Sequence, residues 1–277
     1  MAKDTNTTAP AATAEAAKKM EASFLIDTTK CIGCRGCQIA CKQWNQNGTD
    51  RTGAGPTLTN PPKLNARTYT NIAFYEAENN GALSWNFARN GCFHCKKPAC
   101  VSVCPVEALV KTPEGPVIYR PDRCMGCRYC MLGCPFNIPK YEWEKVSPSI
   151  QKCNFCYDRL LAGMTPACAK TCPTGTIQFS DSIEKNLAEA KKRIASNPGR
   201  YHNHIYGEKE AGGTSVILLS AVPIEQMGFF KVGEQVLPDL TWKYISGIPA
   251  IMGLVVAAGI GGWVITRRMK NMDKEGE

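Results

Sequence analysis

From Phe24 to Phe179 the apolar positions come in short runs, Phe24-Ile26, Ile72-Tyr75, Val117-Tyr119 and Ile177-Phe179, each bounded by Pro, Gly or Asn. Such runs predict small strands in a loop-rich body. Further on, Ile183, Leu187, Ala190 and Ile194 recur at helical spacing behind Asp181 and Ser182. This predicts one amphipathic surface helix with a capped start. A strand-like run, Ser215-Ser220, follows Gly212-Gly213, and a stretch containing Pro and Gly leads to Trp242.

The last element differs in kind. Ile245 to Thr266 is 22 residues without a charge, and as a helix rising about 1.5 Å per residue it is about 33 Å long, enough to cross a bilayer core. Arg267, Arg268 and Lys270 follow it, whereas only Lys243 precedes it closely. The positive-inside bias therefore predicts a cytoplasmic C-terminus and a body on the far side of the membrane. Gly253, Ala257 and Gly261 fall at i, i+4 and i+8, with Ala258 and Gly262 beside them, a stripe on which another helix can close. Residues 1–21, rich in Ala and Thr, lack the apolar run of a signal peptide and read as a flexible tail.

The body carries the chemistry. All 16 Cys of the 277 residues lie between Cys31 and Cys172, in four groups of four: Cys31, Cys34, Cys37, Cys41; Cys92, Cys95, Cys100, Cys104; Cys124, Cys127, Cys130, Cys134; and Cys153, Cys156, Cys168, Cys172. The first and third groups read C-x2-C-x2-C-x3-C, the second widens its middle gap to four residues and the fourth widens it to eleven. Three groups end in Cys-Pro; the first ends Cys41-Lys42. This spacing lets a tight loop offer three thiolates to one iron-sulfur cubane while the fourth turns to a neighbouring cluster. Zinc sites use C-x2-C pairs too, but they leave the third Cys and the repeated Cys-Pro unexplained. Disulfides fit less well, since cysteines three apart make poor pairs.

An internal repeat suggests which groups share clusters. Phe24-Leu25-Ile26-Asp27-Thr28-Thr29-Lys30-Cys31 matches Val117-Ile118-Tyr119-Arg120-Pro121-Asp122-Arg123-Cys124, and Cys104-Pro105-Val106-Glu107-Ala108-Leu109 matches Cys172-Pro173-Thr174-Gly175-Thr176-Ile177. The second and third groups form a compact two-cluster unit, which leaves the first and fourth to pair around it. The expected sets are Cys31, Cys34, Cys37 and Cys172 (cluster 1); Cys153, Cys156, Cys168 and Cys41 (cluster 2); Cys92, Cys95, Cys100 and Cys134 (cluster 3); and Cys124, Cys127, Cys130 and Cys104 (cluster 4).

The formal net charge of +9 would ordinarily suggest nucleic acid or an anionic membrane. Four oxidised clusters, at roughly −2 each, offset nearly all of it, so no nucleic-acid partner is needed. Lys30, Arg35, Lys42, Lys96, Lys97, Arg123, Arg128, Lys152, Arg159 and Lys170 lie near ligands in sequence, where they could balance that charge. There are three His. His94, inside the second group, reads as a packing residue rather than a ligand, and the span has none to ligate haem. No nucleotide-binding Gly loop, Ser-His-Asp order or acid-base pair is evident, so no catalytic residue is expected.

The expected fold is α+β: two pseudo-symmetric, two-cluster ferredoxin-like domains, loop-rich, plus one C-terminal transmembrane helix. In chain order these are a tail (1–21), a discontinuous first dicluster domain (23–91 with 150–180), an inserted second one (92–149), a connecting helix and strand (181–242), the membrane helix (243–268) and a cytoplasmic tail (269–277).

On these motifs, Phe24 to Phe179 resembles the four-cluster iron-sulfur electron-transfer subunits of the dimethyl sulfoxide reductase family of molybdenum and tungsten enzymes. Gly212-Gly213-Thr214-Ser215-Val216 and the single span after Trp242-Lys243 resemble the beta subunits of membrane-bound respiratory formate dehydrogenases. The resemblance implies a non-catalytic subunit with four [4Fe-4S] clusters. Its partners would be a molybdopterin catalytic subunit that oxidises formate and a membrane cytochrome b that passes electrons to quinone. It also implies that cluster 1 faces the catalytic subunit and cluster 4 the cytochrome, in a bacterial inner membrane with the body periplasmic. Nitrate reductase relatives carry Trp where this chain has Cys127, which argues against that branch. The alternatives are the anchored four-cluster subunit of a nickel-iron hydrogenase or another molybdopterin oxidoreductase, and a membrane-anchored structural zinc protein.

Overall fold

The computed structural model of the chain describes residues 20–50, 53, 55, 57–79, 81–145 and 149–275, so the expected N-terminal tail lies almost wholly outside the described residues. The ordered elements begin with β1 (Ser23–Asp27), α1 (Gly36–Trp44), β2 (Asn71–Asn79), β3 (Ala82–Asn90) and α2 (Ala99–Ser102). They continue with β4 (Leu109–Lys111), β5 (Val117–Tyr119), α3 (Tyr129–Leu132), β6 (Lys140–Tyr141), β7 (Ile150–Gln151), α4 (Tyr157–Leu161), α5 (Ala167–Thr171) and β8 (Ile177–Ser180). The chain closes with α6 (Ile183–Ser196), β9 (Val216–Leu219), α7 (Leu237–Ile245) and α8 (Ile248–Glu275).

The central sheet has the order β8-β1-β9, with β1 antiparallel to β8 and parallel to β9. Alternation along β1 separates two jobs. Leu25 points to one face, where it packs with Ile217, Leu219 and Ala190 of the amphipathic helix α6. Phe24 and Ile26 point to the other, into a core shared with Val216, Leu218, Cys37, Cys153 and Cys168. The sheet is thus the partition between α6 and the cysteine-bearing loops. Burying each Ile or Leu on the α6 side contributes about 1.5–3 kcal/mol, and Arg193 of α6 locks the edge by pairing with the buried Asp27 at 3.0 Å. Ser182 stands at the α6 N-cap as expected, but its hydroxyl bonds the Glu184 carboxylate instead of capping a backbone N–H.

The repeat seen in the sequence recurs in the strand pairing. Ile26 of β1 faces Ile177 of β8 across an antiparallel ladder, and Tyr119 of β5 faces Leu109 of β4 across another. Each β1 or β5 strand runs into a short 3-10 turn, Thr28–Lys30 or Pro121–Arg123, that delivers the first Cys of its group.

Two features were not foreseen. β2 and β3 form a long hairpin, closed between Asn79 and Ala82 with Gly81 at φ +77°. The apolar C-terminal segment is also in two pieces: α7 ends at Ile245 and α8 starts at Ile248. Pro249 explains the break, because it has no N–H to give the Ile245 carbonyl and its ring would clash there. Gly247 starts the new helix instead, its carbonyl accepting from Ile251 N at 3.2 Å. α8 is apolar and long enough to span a membrane, and none of the span is buried against the body.

Candidate functional site

The loops that present the cysteines share one backbone device. In the first Cys-x-x-Cys of each group the third residue has positive φ: Gly33 at +68°, His94 at +48°, Gly126 at +74° and Phe155 at +63°. A left-handed residue there reverses the chain between the two thiols and turns both Sγ atoms inward. Glycine adopts it without cost; His94 and Phe155 each carry about 1–2 kcal/mol of strain. In the first and third groups a second left-handed residue, Arg35 or Arg128, then opens the helix that carries the third Cys, α1 or α3.

Three of the four expected sets line cavities. Cys31, Cys34, Cys37 and Cys172 line one. Cys41, Cys153, Cys156 and Cys168 line a second, and Cys104, Cys124, Cys127 and Cys130 a third. Cys92, Cys95, Cys100 and Cys134 lie close enough together that charge on the others raises the thiols of Cys95 and Cys100. Among the described residues no three Cys, His, Asp or Glu close up around a single ion. The thiols of each quartet are spaced too widely for one tetrahedral zinc with its 2.3 Å bonds to sulfur, which fits a polynuclear cluster better.

The quartets form a row. Charge on Cys168 of the second acts on Cys37 of the first, Cys153 of the second on Cys92 of the third, and Cys130 of the fourth on Cys100 of the third. Only Cys34 and Cys127, one in each terminal quartet, are exposed. They occupy matching places in the repeat, and each lies in sequence between exposed apolar residues: Ile32 and Ile39 at one end, Met125, Tyr129 and Leu132 at the other.

Burial pushes the thiols up, to about 12 for Cys37, Cys100, Cys130 and Cys156 and to about 11 for Cys92. A quartet that must be anionic therefore requires a strongly positive guest. Cys172 is the exception. Burial opposes ionisation there as well, but the Ile177 N–H and the Thr174 hydroxyl and N–H hold its thiol below the usual value. Backbone N–H groups also reach sulfur from Ala108 to Cys104 at 3.2 Å and from Phe155 to Cys153 at 3.4 Å.

Of the expected charge-balancing side chains, Arg35 lines the cavity of the first quartet and Arg128 that of the fourth, whereas others turn elsewhere. Lys42 pairs with Asp50, Lys97 with Asp239 and Arg123 with Glu107. Arg35, Arg128 and Arg159 lie over Phe74, Tyr141 and Trp44. Of that group Lys152 is buried near the third quartet, donating to the carbonyls of Val117 and Cys153. Two cations outside that set also lie close to quartets, Lys111 half-buried and Arg89 buried. Lys111 donates to the carbonyls of His94 and Cys95, and burial pulls its ammonium down to about 8. Arg89 lines both the first and the second quartet cavities. His94 is a packing residue as expected: its buried Nδ1 accepts from Val117 N at 2.9 Å.

A loop-rich body with cysteine quartets in a row defines a class, the iron-sulfur electron-transfer proteins. Residues 30–108 and residues 83–182 match two families each described as a 4Fe-4S dicluster domain. The nitrate-inducible formate dehydrogenase iron-sulfur subunit of Escherichia coli is 40% identical over 72% of this chain and 68% of its own length. The hydrogenase-2 operon protein HybA of Escherichia coli O157:H7 is 36% identical over 76% and 73%. A Nitratidesulfovibrio vulgaris protein is 37% identical over 98% and 75%. The chain belongs to the family of formate dehydrogenase iron-sulfur subunits, and its role is electron transfer rather than catalysis.

Proposed function

We propose that the sixteen cysteines hold four [4Fe-4S] clusters in the sets expected from the repeat, and that the chain carries electrons between a catalytic subunit and a membrane subunit. The observation that carries this reading is the row of quartets with an exposed cysteine only at its two ends. A conduit needs one terminus within reach of each partner and a buried middle. When bound, each cluster takes up and releases one electron, with potential set by its surroundings. This chain's residues hold the irons, keep water from the inner quartets and supply buried positive charge.

The catalytic partner in this reading holds molybdenum or tungsten bis-pterin and oxidises formate, and faces the Cys34 end. The membrane partner is a cytochrome b passing electrons to quinone, and faces the Cys127 end. α8 crosses the bacterial inner membrane with the body periplasmic, as the charges after Thr266 favour. The matching ladders, 3-10 turns and left-handed loop residues support two ferredoxin-like units related by pseudo-symmetry, 92–149 inserted between 23–91 and 150–180. HybA's similarity favours a second reading, the same conduit fed by a hydrogenase.

Anaerobic extraction of the intact complex tests both readings. We expect about sixteen irons and as many acid-labile sulfides per chain, with a co-purifying large subunit that contains a pterin cofactor. Zinc in place of iron overturns the cluster reading; a nickel-containing large subunit transfers the chain to the hydrogenase reading.

A further inference from the structure

Arg89 sits on β3, three residues before Cys92, yet it serves other quartets. Its side chain is fully buried, lines the cavities of Cys31, Cys34, Cys37, Cys172 and of Cys41, Cys153, Cys156, Cys168, and lies with its guanidinium 5.8 Å from the Phe24 ring centre. Its Nε has no hydrogen-bond partner among the described residues. The absence of a side chain at Gly91 makes room for it, because a Cβ there would stand 3.1 Å from Nη1.

A buried guanidinium with no anion is among the least tolerable groups in a protein interior. Arginine does not escape the cost by losing its proton. Its partner must therefore be the negative charge that the two cavities enclose.

Resting on the four-cluster reading above, we propose that Arg89 is the shared counter-cation of clusters 1 and 2 and raises the reduction potentials of both. Each one-electron reduction takes a cluster with its four thiolates from about −2 to about −3 and consumes no proton. A fixed positive charge between the two favours that step in each. It also screens the repulsion that an electron on one exerts on the other. At the effective dielectric of a protein interior, about 20, one charge several ångström away moves such an equilibrium tenfold or more.

The experiment compares Arg89→Met, which keeps bulk without charge, with Arg89→Lys, which keeps the charge, both in the intact anaerobic complex. Iron is counted, and a potential titration is followed by the electron paramagnetic resonance of the reduced clusters. In Arg89→Met we expect two of the four midpoints to fall by at least about tenfold in the reduced-to-oxidised ratio, about 59 mV for one electron, or those two clusters to be lost selectively. Arg89→Lys should retain all four near wild-type potentials. If Met and Lys behave alike, unshifted or equally depleted of iron, the counter-cation role is overturned. A wild-type complex without about sixteen irons would instead overturn the four-cluster reading itself, a distinct result.

Discussion

The rings of His94 and Phe155 meet edge to face, centres 4.9 Å apart and planes at 85°, and the two residues hold the same left-handed place in the second and fourth cysteine groups. Where the other two groups use glycine, these two use rings, and the strain is offset by contact between the units. Phe155 also stacks on Phe24 of β1 at 4.1 Å, while His94 accepts from Val117 of β5. Phe24 and Val117 are themselves matching positions in the repeat. One pair of rings thus ties together the strands that deliver Cys31 and Cys124.

This predicts an inverted order of truncations at Phe155. Phe155→Ala loses the ring, worth about 3–5 kcal/mol, and keeps the strained backbone. Phe155→Gly loses the same contacts but relieves about 1 kcal/mol of left-handed strain. Glycine should therefore be the less damaging change, read as a higher temperature for bleaching of the visible cluster absorbance. Alanine proving the milder substitution would show that φ at 155 is not under strain.

A second prediction separates the two ends of the row. Ile39 and Leu132 are exposed apolar residues at matching places near Cys34 and Cys127. Replacing either by Glu should leave about sixteen irons in place, yet weaken one subunit contact by about 30-fold, the about 2 kcal/mol of an interface hot spot. Ile39→Glu should release the catalytic subunit and Leu132→Glu the membrane subunit, measured by co-purification in detergent. If both variants release the same partner, the two-ended arrangement is wrong.

Acid stability supplies a third. Asp50 accepts from Lys42 at 2.7 Å, from Asn65 at 3.0 Å and from the Thr68 hydroxyl. Burial works against its ionisation, but those donors hold its carboxyl below the ordinary value. A depressed folded-state pKa gives stability that is present above the unfolded value of about 3.9 and lost as pH falls toward the folded one. Asp50→Asn should cost about 1.5–3 kcal/mol near neutrality and flatten the decline of stability below about pH 4. An unchanged acid limb would refute the assignment.

The cysteine groups, the small strands and α6 were legible because each is written locally: ligand spacing, short apolar runs, a 3.6-residue period. Other features depend on pairing at a distance. β3 was missed because its solvent face carries Leu83 and Trp85, which blur the alternation, although Asn80-Gly81 between the strands is a hairpin signal. Arg89 lies only three residues before Cys92, but the hairpin turns it to quartets whose members lie at 31–41 and 153–172, a placement no spacing along the chain indicates. The charge-balancing expectation failed for Lys42, Lys97 and Arg123 because each meets a carboxylate of the fold instead, Asp50, Asp239 and Glu107. The break before α8 was readable from Pro249, but the long uncharged run obscured it.

The last prediction concerns α8. Gly253, Ala257 and Gly261 line one stripe of the helix, and a Cβ added at Gly253, Gly259 or Gly261 meets nothing within 4 Å. Larger side chains there are therefore free of clashes within the chain itself, and α8 stands clear of the body that bears the quartets. Any effect of Gly261→Leu must then arise against another molecule. In lipid, where no hydrophobic drive brings helices together, close approach along small residues supplies the association. Gly261→Leu should release the membrane partner in detergent with all iron retained, while Gly259→Leu, off the stripe, should do much less. Equal retention in both variants would reduce α8 to a plain anchor.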